Sequence, residues 1–278
     1  MAASEATRNV ELTLADVESC QTLSDEAGWN QTADDWRLFI SRGQSIGVKT
    51  AGGTLVASAA ALPYDRFGFV SMVLVTAAWR RRGLATALVN QCVDHLKSRG
   101  LTPVLDATPP GALVYRQQGF AELFALDRWQ RGPEPVSSDG ATELPPADLE
   151  LMRGLDREAG GADRLFLLAD FADREGSRTF AAPSGTGFAI VRRGRRAMQV
   201  GPVVAASASE ALRLLSAVLA GVSEAIFIDV PSIWKEVADW LRERGFTLQR
   251  SFTRMAHGCT TPFGRPDRLF AVAGPEFG

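Results

Sequence analysis

The sequence predicts a mixed α/β protein, with a mixed sheet, made of two similar domains, and three observations carry that reading. Residues 69–86, FVSMVLVTAAWRRRGLAT, pass from an apolar run with three valines, suited to a strand buried on both faces, into a basic turn with a glycine and then a helix. Strand-like and helix-like segments alternate on both sides of residues 132–146, GPEPVSSDGATELPP, a stretch rich in Pro, Ser and Gly that reads as a linker. Finally, residues 115–129 align with residues 241–255 so that Arg116, Gly119, Phe120 and Arg128 meet Arg242, Gly245, Phe246 and Arg254. Composition alone gives about one identity over such a length. Asp106 and Asp229 also follow apolar runs in the two halves, so the chain carries a weak repeat of a long unit.

Taken in order, residues 10–13 read as a strand and 15–26 as a helix ended by Gly28-Trp29-Asn30. Residues 32–41, with Trp36, Leu38 and Phe39, form a second helix. Strands follow at 45–50 and 54–62 around the turn Ala51-Gly52-Gly53, and residues 63–66 lead to the central strand at 70–75. Ala85, Leu88, Val89, Cys92, Val93 and Leu96 share one face of the next helix. Residues 102–107 are β-like, and Thr108-Pro109-Pro110-Gly111 opens a short helix. Beyond the linker, helices are expected at 149–157, 164–173 and 208–219 and around Trp234, Val237, Ala238 and Leu241. Strands are expected at 178–182, 187–193, 197–204 and 225–230.

A buried strand, a basic glycine turn and a helix start together make an anion site, because unbonded N–H groups and the positive end of the helix dipole meet the arginine forks there. The expected ligand is a pyrophosphate whose remainder runs back along the strand. No Gly-Lys-Ser/Thr follows, which excludes the Walker loop, and Gly185-Thr186-Gly187 continues to Ile190 where a dinucleotide fingerprint needs glycine. What remains, Arg80-x-x-Gly83-x-Ala85, resembles the Q/R-x-x-G-x-G/A loop of the GNAT N-acetyltransferases, which grips the pyrophosphate of acetyl-coenzyme A.

Tyr115-Arg116-Gln117-Gln118-Gly119-Phe120 resembles the Tyr-x-x-x-Gly-Phe segment after the fifth strand of that family, where the tyrosine lies near the coenzyme sulfur. The resemblance spans residues 8–130 and, with the repeat, implies tandem GNAT-like acyl-CoA N-acyltransferase folds: a catalytic domain at 1–131 and a degenerate one at 147–278 that walls the acceptor pocket. Leu241 stands in the second copy where the first has Tyr115, and residues 205–209, AASAS, stand where the first has its arginine-glycine loop.

The resemblance implies a role for each site residue. Arg80, Arg81, Arg82, Gly83, Leu84, Ala85 and Thr86 hold the coenzyme. Backbone N–H groups near Leu74 and Val75 polarise the acyl carbonyl. Trp29 and Asn30, on the loop that covers the acceptor, contact it. Tyr115 protonates the departing thiolate, a role its hydroxyl suits. A lysine-like amine is neutral on the order of one time in a thousand at pH 7, so a base is needed. Asp65, Asp106, Asp25 and Glu26 are the candidates, with Asp65 favoured because its loop leads into the central strand.

The expected acceptor is the primary amine of a small metabolite or amino-acid-like molecule. A protein or peptide amine, or a coenzyme-A sensor without turnover, are the alternatives; retained Tyr115 argues against a mere sensor. A net charge of −2 gives no global signal for nucleic acid, and the clusters at 80–82 and 192–196 are short. Three widely spaced cysteines, Cys20, Cys92 and Cys259, argue against a disulfide framework, and two histidines, His95 and His257, argue against a zinc site. No apolar run nears the roughly 20 residues a spanning helix needs, and residues 1–9 lack a signal pattern. A cytoplasmic monomer without metal is expected.

Overall fold

The computed structural model describes residues 6–134 and 143–278, so most of the expected linker, residues 135–142, lies outside the described residues. Packing divides the chain into two compact units, residues 1–104 and 105–278, with the boundary inside a strand.

In the first unit, β1 (Thr7–Glu11), β2 (Gln44–Thr50), β3 (Leu55–Pro63) and β4 (Phe67–Val75) pair antiparallel in sequence order. β5 (Thr102–Ala107) joins β4 in parallel, Phe67–Phe69 against Thr102–Val104. A parallel neighbour needs a crossover, and α3 (Leu84–Ser98) supplies it. Leu88, Val89, Cys92, Val93 and Leu96 are its buried stripe, as the periodicity predicts. It packs on β3 and β4, where Gly68 leaves room: a Cβ there would sit 2.3 Å from Leu96 Cδ2. α1 (Val17–Glu26) packs on β3 and β4, and α2 (Ala33–Arg42) on β2 and β3. α2 starts at a capping box, Thr32 with Asp35, and its Trp36 Nε1 donates to Ser24 Oγ at 3.0 Å.

The second unit contains the end of β5, α4 (Pro109–Gln117), β6 (Phe120–Arg131), α5 (Leu149–Gly160), α6 (Leu165–Asp173), β7 (Arg178–Ala181), β8 (Phe188–Arg192), β9 (Met198–Val204), α7 (Ala208–Leu219), β10 (Ile226–Pro231), α8 (Lys235–Arg242), β11 (Thr247–His257) and β12 (Leu269–Ala271). Its sheet runs β11-β6-β10-β9-β8-β7, with β12 on β9. Helix α7 keeps its expected bounds. Strand β12 was not expected, because three residues among prolines and glycines show no period.

The repeat reappears as one order of elements, β2-β3-β4-α3-β5-α4-β6 and then β7-β8-β9-α7-β10-α8-β11. Their last strands are exchanged. β6, which ends the first repeat, pairs with β10 of the second, and Arg128 of β6 makes a two-pronged bond to Asp229 of β10, at 2.8 Å to each carboxylate oxygen. Arg254 of β11 binds Asp106 of β5 in the same way, at 2.8 and 2.7 Å. Arg128 and Arg254 lie 126 positions apart, and so do Leu126 and Phe252, which face each other where β6 and β11 pair antiparallel. That pair is therefore the centre of a pseudo-two-fold axis between the last strands of the repeats.

Among the described residues, no helix is long and apolar enough to cross a membrane, and no group of His, Cys, Asp and Glu is placed to hold a metal ion.

Candidate active site

Strand β4 carries a bulge. Ser58 faces Leu74 and Ala60 faces Ser71, so Met72 and Val73 together oppose Ala59. Met72 has φ +53°, a conformation rare and strained for a side chain of its size, and Ser58 Oγ fixes it by donating to the Met72 carbonyl at 2.8 Å. Among the described residues of the first unit, none forms a strand beside the edge of β4 from residue 70 to 75 on the β5 side.

Eight residues, 76–83, connect β4 to α3. They hold a 3-10 turn, Ala77–Trp79, and then the arginines. Arg80 Nε donates to the Val75 carbonyl at 3.1 Å, which folds its guanidinium back over the end of β4. Arg82 donates to the Ala78 carbonyl at 3.1 Å and lies 4.4 Å above the Trp79 ring. Arg81 and Gly83 both take positive φ, +60° and +77°. Gly83 is the N-cap of α3 and makes no side-chain cap bond, whereas Thr32, Asp148 and Ser207 each cap their helix. A Cβ at Gly83 would meet nothing within 4 Å, so the helix start faces open space. Exposed Arg80, Arg81, Arg82 and Thr86 surround it, with Leu84 and Ala85 half-buried. This geometry fits a pyrophosphate, as backbone donors, helix dipole and arginines converge without a side chain in the way.

The structure gathers Leu74, Val75 and residues 80–86 at the carboxyl end of β4. It brings the α1–α2 loop to the same end, because Glu26, the last residue of α1, accepts the Ala77 N–H at 2.8 Å. Trp29 on that loop is half-buried, Asn30 buried. Asp65 stands elsewhere, exposed on the β3–β4 turn closed by Tyr64 N–H to the Phe67 carbonyl at 2.8 Å. The length of β4, roughly 27 Å, separates it from the arginine loop. The Asp106 side chain is buried and both its oxygens are bonded to Arg254. The Met72 bulge and the Glu26–Ala77 tie were not anticipated. Neither leaves a mark in a single sequence, since positive φ usually falls to glycine and a side chain-to-backbone bond has no spacing rule.

Tyr115 lies on α4 in the second unit, half-buried, its ring 5.9 Å from that of Phe120. Gly111, one turn earlier, gives it room: a Cβ there would approach Tyr115 Cε2 to 3.2 Å. Its counterpart Leu241 is fully buried in the core beside Val237 and Phe246. Burial pushes the Cys92 thiol up to about 12, and burial with the nearby Asp16 charge does the same to Cys20, so neither offers a thiolate at neutral pH.

The second copy fills its corresponding helix start with its own carboxylate. Glu210 accepts from Ala206 N–H at 2.7 Å and from the hydroxyls of Thr186, at 3.0 Å, and Ser184. Burial pushes the Glu210 carboxyl up, but these bonds, with Arg213 nearby, outweigh it and hold the carboxyl below its ordinary 4.5. A folded value below the unfolded one adds stability above about pH 4.5 and loses it as pH falls through the folded value. Glu210→Gln is therefore expected to cost about 1–2 kcal/mol in urea unfolding at pH 7, with the gap closing as pH falls from the ordinary 4.5 through the lower folded value. A gap independent of pH would contradict the assignment.

The fold and loop define a class, the GNAT acetyltransferases. The Acetyltransferase (GNAT) family model matches residues 12–120 and the Acetyltransferase (GNAT) domain model residues 152–271, and the chain belongs to this family as a two-domain N-acetyltransferase. The uncharacterized N-acetyltransferase YitH of Bacillus subtilis is 23% identical over 232 residues, 81% of this chain and 82% of that one. A solved candidate acetyltransferase from Pyrococcus horikoshii superposes with a TM-score of 0.84 at 19% identity, covering 100% of this chain and 98% of the other. A tandem GNAT protein from the clavulanic acid biosynthesis pathway gives a TM-score of 0.63 at 16% identity, over 90% and 98%. These likenesses carry the fold; GNAT domains as a family use acetyl-CoA.

Proposed function

We propose that the chain transfers the acetyl group of acetyl-CoA directly to the primary amine of a small metabolite or amino-acid-like acceptor. The observation that carries this is the contrast between two helix starts in one molecule: α3 opens beneath Arg80, Arg82 and an uncapped Gly83, while α7 is closed by Glu210. Residues 1–131 are assigned the transfer and residues 147–278 no chemistry of their own. The unexposed, protonated thiols of Cys20 and Cys92 favour direct transfer over a cysteine acyl-enzyme in this half.

Arg80, Arg81, Arg82 and the N–H groups of residues 83–86 anchor the diphosphate. The bulged end of β4, near Leu74 and Val75, turns N–H groups to the acyl oxygen, where they stabilise its developing charge. A carboxylate of this half, Asp65 or Glu26, takes the ammonium proton, and of the two Glu26 is the one beside the end of β4. As the C–N bond forms and the C–S bond breaks, Tyr115 gives its proton to the leaving sulfur, and the second proton shed by the new amide nitrogen returns through solvent to the tyrosine oxygen. Trp29 and Asn30 contact the acceptor. The pseudo-two-fold pairing of β6 with β11 uses within one chain the kind of surface two subunits would share, which supports a monomer.

Thiol release from acetyl-CoA with a panel of amines and peptides tests the activity and separates it from a sensor without turnover; no release with any amine would remove the proposal. Arg80→Ala and Arg82→Ala are each expected to weaken coenzyme A binding about tenfold by calorimetry, from the loss of charge-assisted bonds. Unchanged affinity in both would detach the loop from the coenzyme.

A further inference from the structure

We infer that the second copy's coenzyme groove is an interaction surface whose partner is already in place: residues 268–273 of the same chain, together with Glu210. The inference rests on the proposed coenzyme site of the first copy, because it is that site's counterpart that is filled.

The two grooves start alike. β4 pairs in parallel with β5 over Phe67–Phe69, and β9 pairs in parallel with β10 over Met198–Val200. Both strands then bulge at the same place relative to their antiparallel partner, between Ser58 and Ala60 on β3 and between Ala189 and Val191 on β8. Both bulges hold a residue at positive φ, Met72 at +53° and Gly201 at +144°.

Beyond the bulge they differ. β12 enters beside β9, Ala271 against Val203 and Leu269 against Val204, and Val272 N–H donates to the Asp229 carbonyl of β10 at 2.9 Å. The segment is thus bonded to both strands, in the line that the extended part of the coenzyme would follow. Gly201 admits it: a Cβ at that position would lie 2.0 Å from the Val272 carbonyl oxygen. Trp234 clamps it from outside, donating to the Leu269 carbonyl at 2.7 Å and stacking on Phe270 at 4.1 Å.

The anion end is filled as well. The connection from β9 to α7 is three residues, 205–207, against eight in the first copy. Its Ala205 N–H donates to the Arg268 carbonyl at 3.1 Å and its Ala206 N–H to Glu210 at 2.7 Å. At this end the N–H groups of Ala205, Ala206 and Glu210 are therefore bonded within the chain, the last to Ser207 Oγ at 3.3 Å, and one coenzyme per chain is the expected stoichiometry.

Amide hydrogen exchange on the full chain, with and without coenzyme A, tests this. Ala205, Ala206 and Val272 are expected to exchange at least about a thousandfold slower than free peptide without coenzyme, and to be unchanged by it. Residues 83–86 slow when coenzyme A is added. Fast exchange at the first three without coenzyme, further slowing of them by it, or two coenzymes per chain in calorimetry would overturn the inference. No slowing at residues 83–86 would instead sink the proposed function, and the protection of the other three would still decide the second groove. Glu210→Ala is expected to speed exchange at Ala206 at least tenfold while Val272 stays protected; unchanged exchange at Ala206 would remove Glu210 as the occupant.

Discussion

Tyr115→Phe is expected to lower kcat by roughly a hundred- to a thousandfold and to leave coenzyme A affinity within about twofold. The phenyl ring keeps the tyrosine's packing against Phe120 and its fit over Gly111, so α4 is retained. Only the hydroxyl goes, and with it the proton for the leaving sulfur. An interaction made chiefly in the transition state appears in kcat and kcat/KM together. The wild-type and variant rates would also respond differently to the leaving group. An acyl donor with a more acidic thiol needs less protonation, so it narrows the gap if Tyr115 is the acid. Equal turnover, or a gap that ignores the thiol, would take Tyr115 out of the reaction. The contrast with Leu241 sharpens the expectation, since the second copy keeps the helix and the Gly-Phe turn but buries a leucine there.

The first half was legible where chemistry or period repeats. The stripe from Leu88 to Leu96, the strand before it and the basic glycine turn each follow a rule of spacing or residue type, and each stands where expected. One bound drifted and one turn was missed: β4 starts at Phe67 where Val70 was expected, and a 3-10 turn at Ala77–Trp79 precedes the arginines. Contacts between distant segments were not legible. Glu26 to Ala77, Glu210 to Ala206 and β12 against β9 depend on tertiary closeness, which composition and period do not encode. The repeat gave the two Asp–Arg sets as equivalents, and the structure alone shows that they pair across it.

That crossed pairing sets the largest stability effects. Arg128 and Asp229 are 7% and 0% exposed, and Gln199 adds a third bond to the carboxylate at 2.9 Å. Burial alone would lower the Arg128 pKa, but the Asp229 carboxylate bonded to it, with Glu276 nearby, more than offsets this and holds it above its ordinary value. Removing one member strands a buried charge, so Arg128→Ala or Asp229→Ala is expected to cost about 3–5 kcal/mol. For a chain of this size that lowers Tm by roughly 6–20 °C. Arg254→Ala should fall in the same range, whereas Arg242→Ala, whose exposed side chain lies over Trp129, should stay within about 0.5 kcal/mol. Double-mutant cycles then separate crossed from uncrossed pairing: Arg128 should couple to Asp229, and Arg254 to Asp106, by at least about 1 kcal/mol, and Arg128 to Asp106 by almost nothing. Coupling of Arg128 to Asp106, its partner within the repeat, would mean that β6 stays with its own half. If the strands are exchanged, a protease cut engineered between residues 135 and 142 leaves both pieces bound, because β6 remains hydrogen-bonded between β10 and β11. Pieces that separate on a sizing column would show that those ladders do not hold the two repeats together.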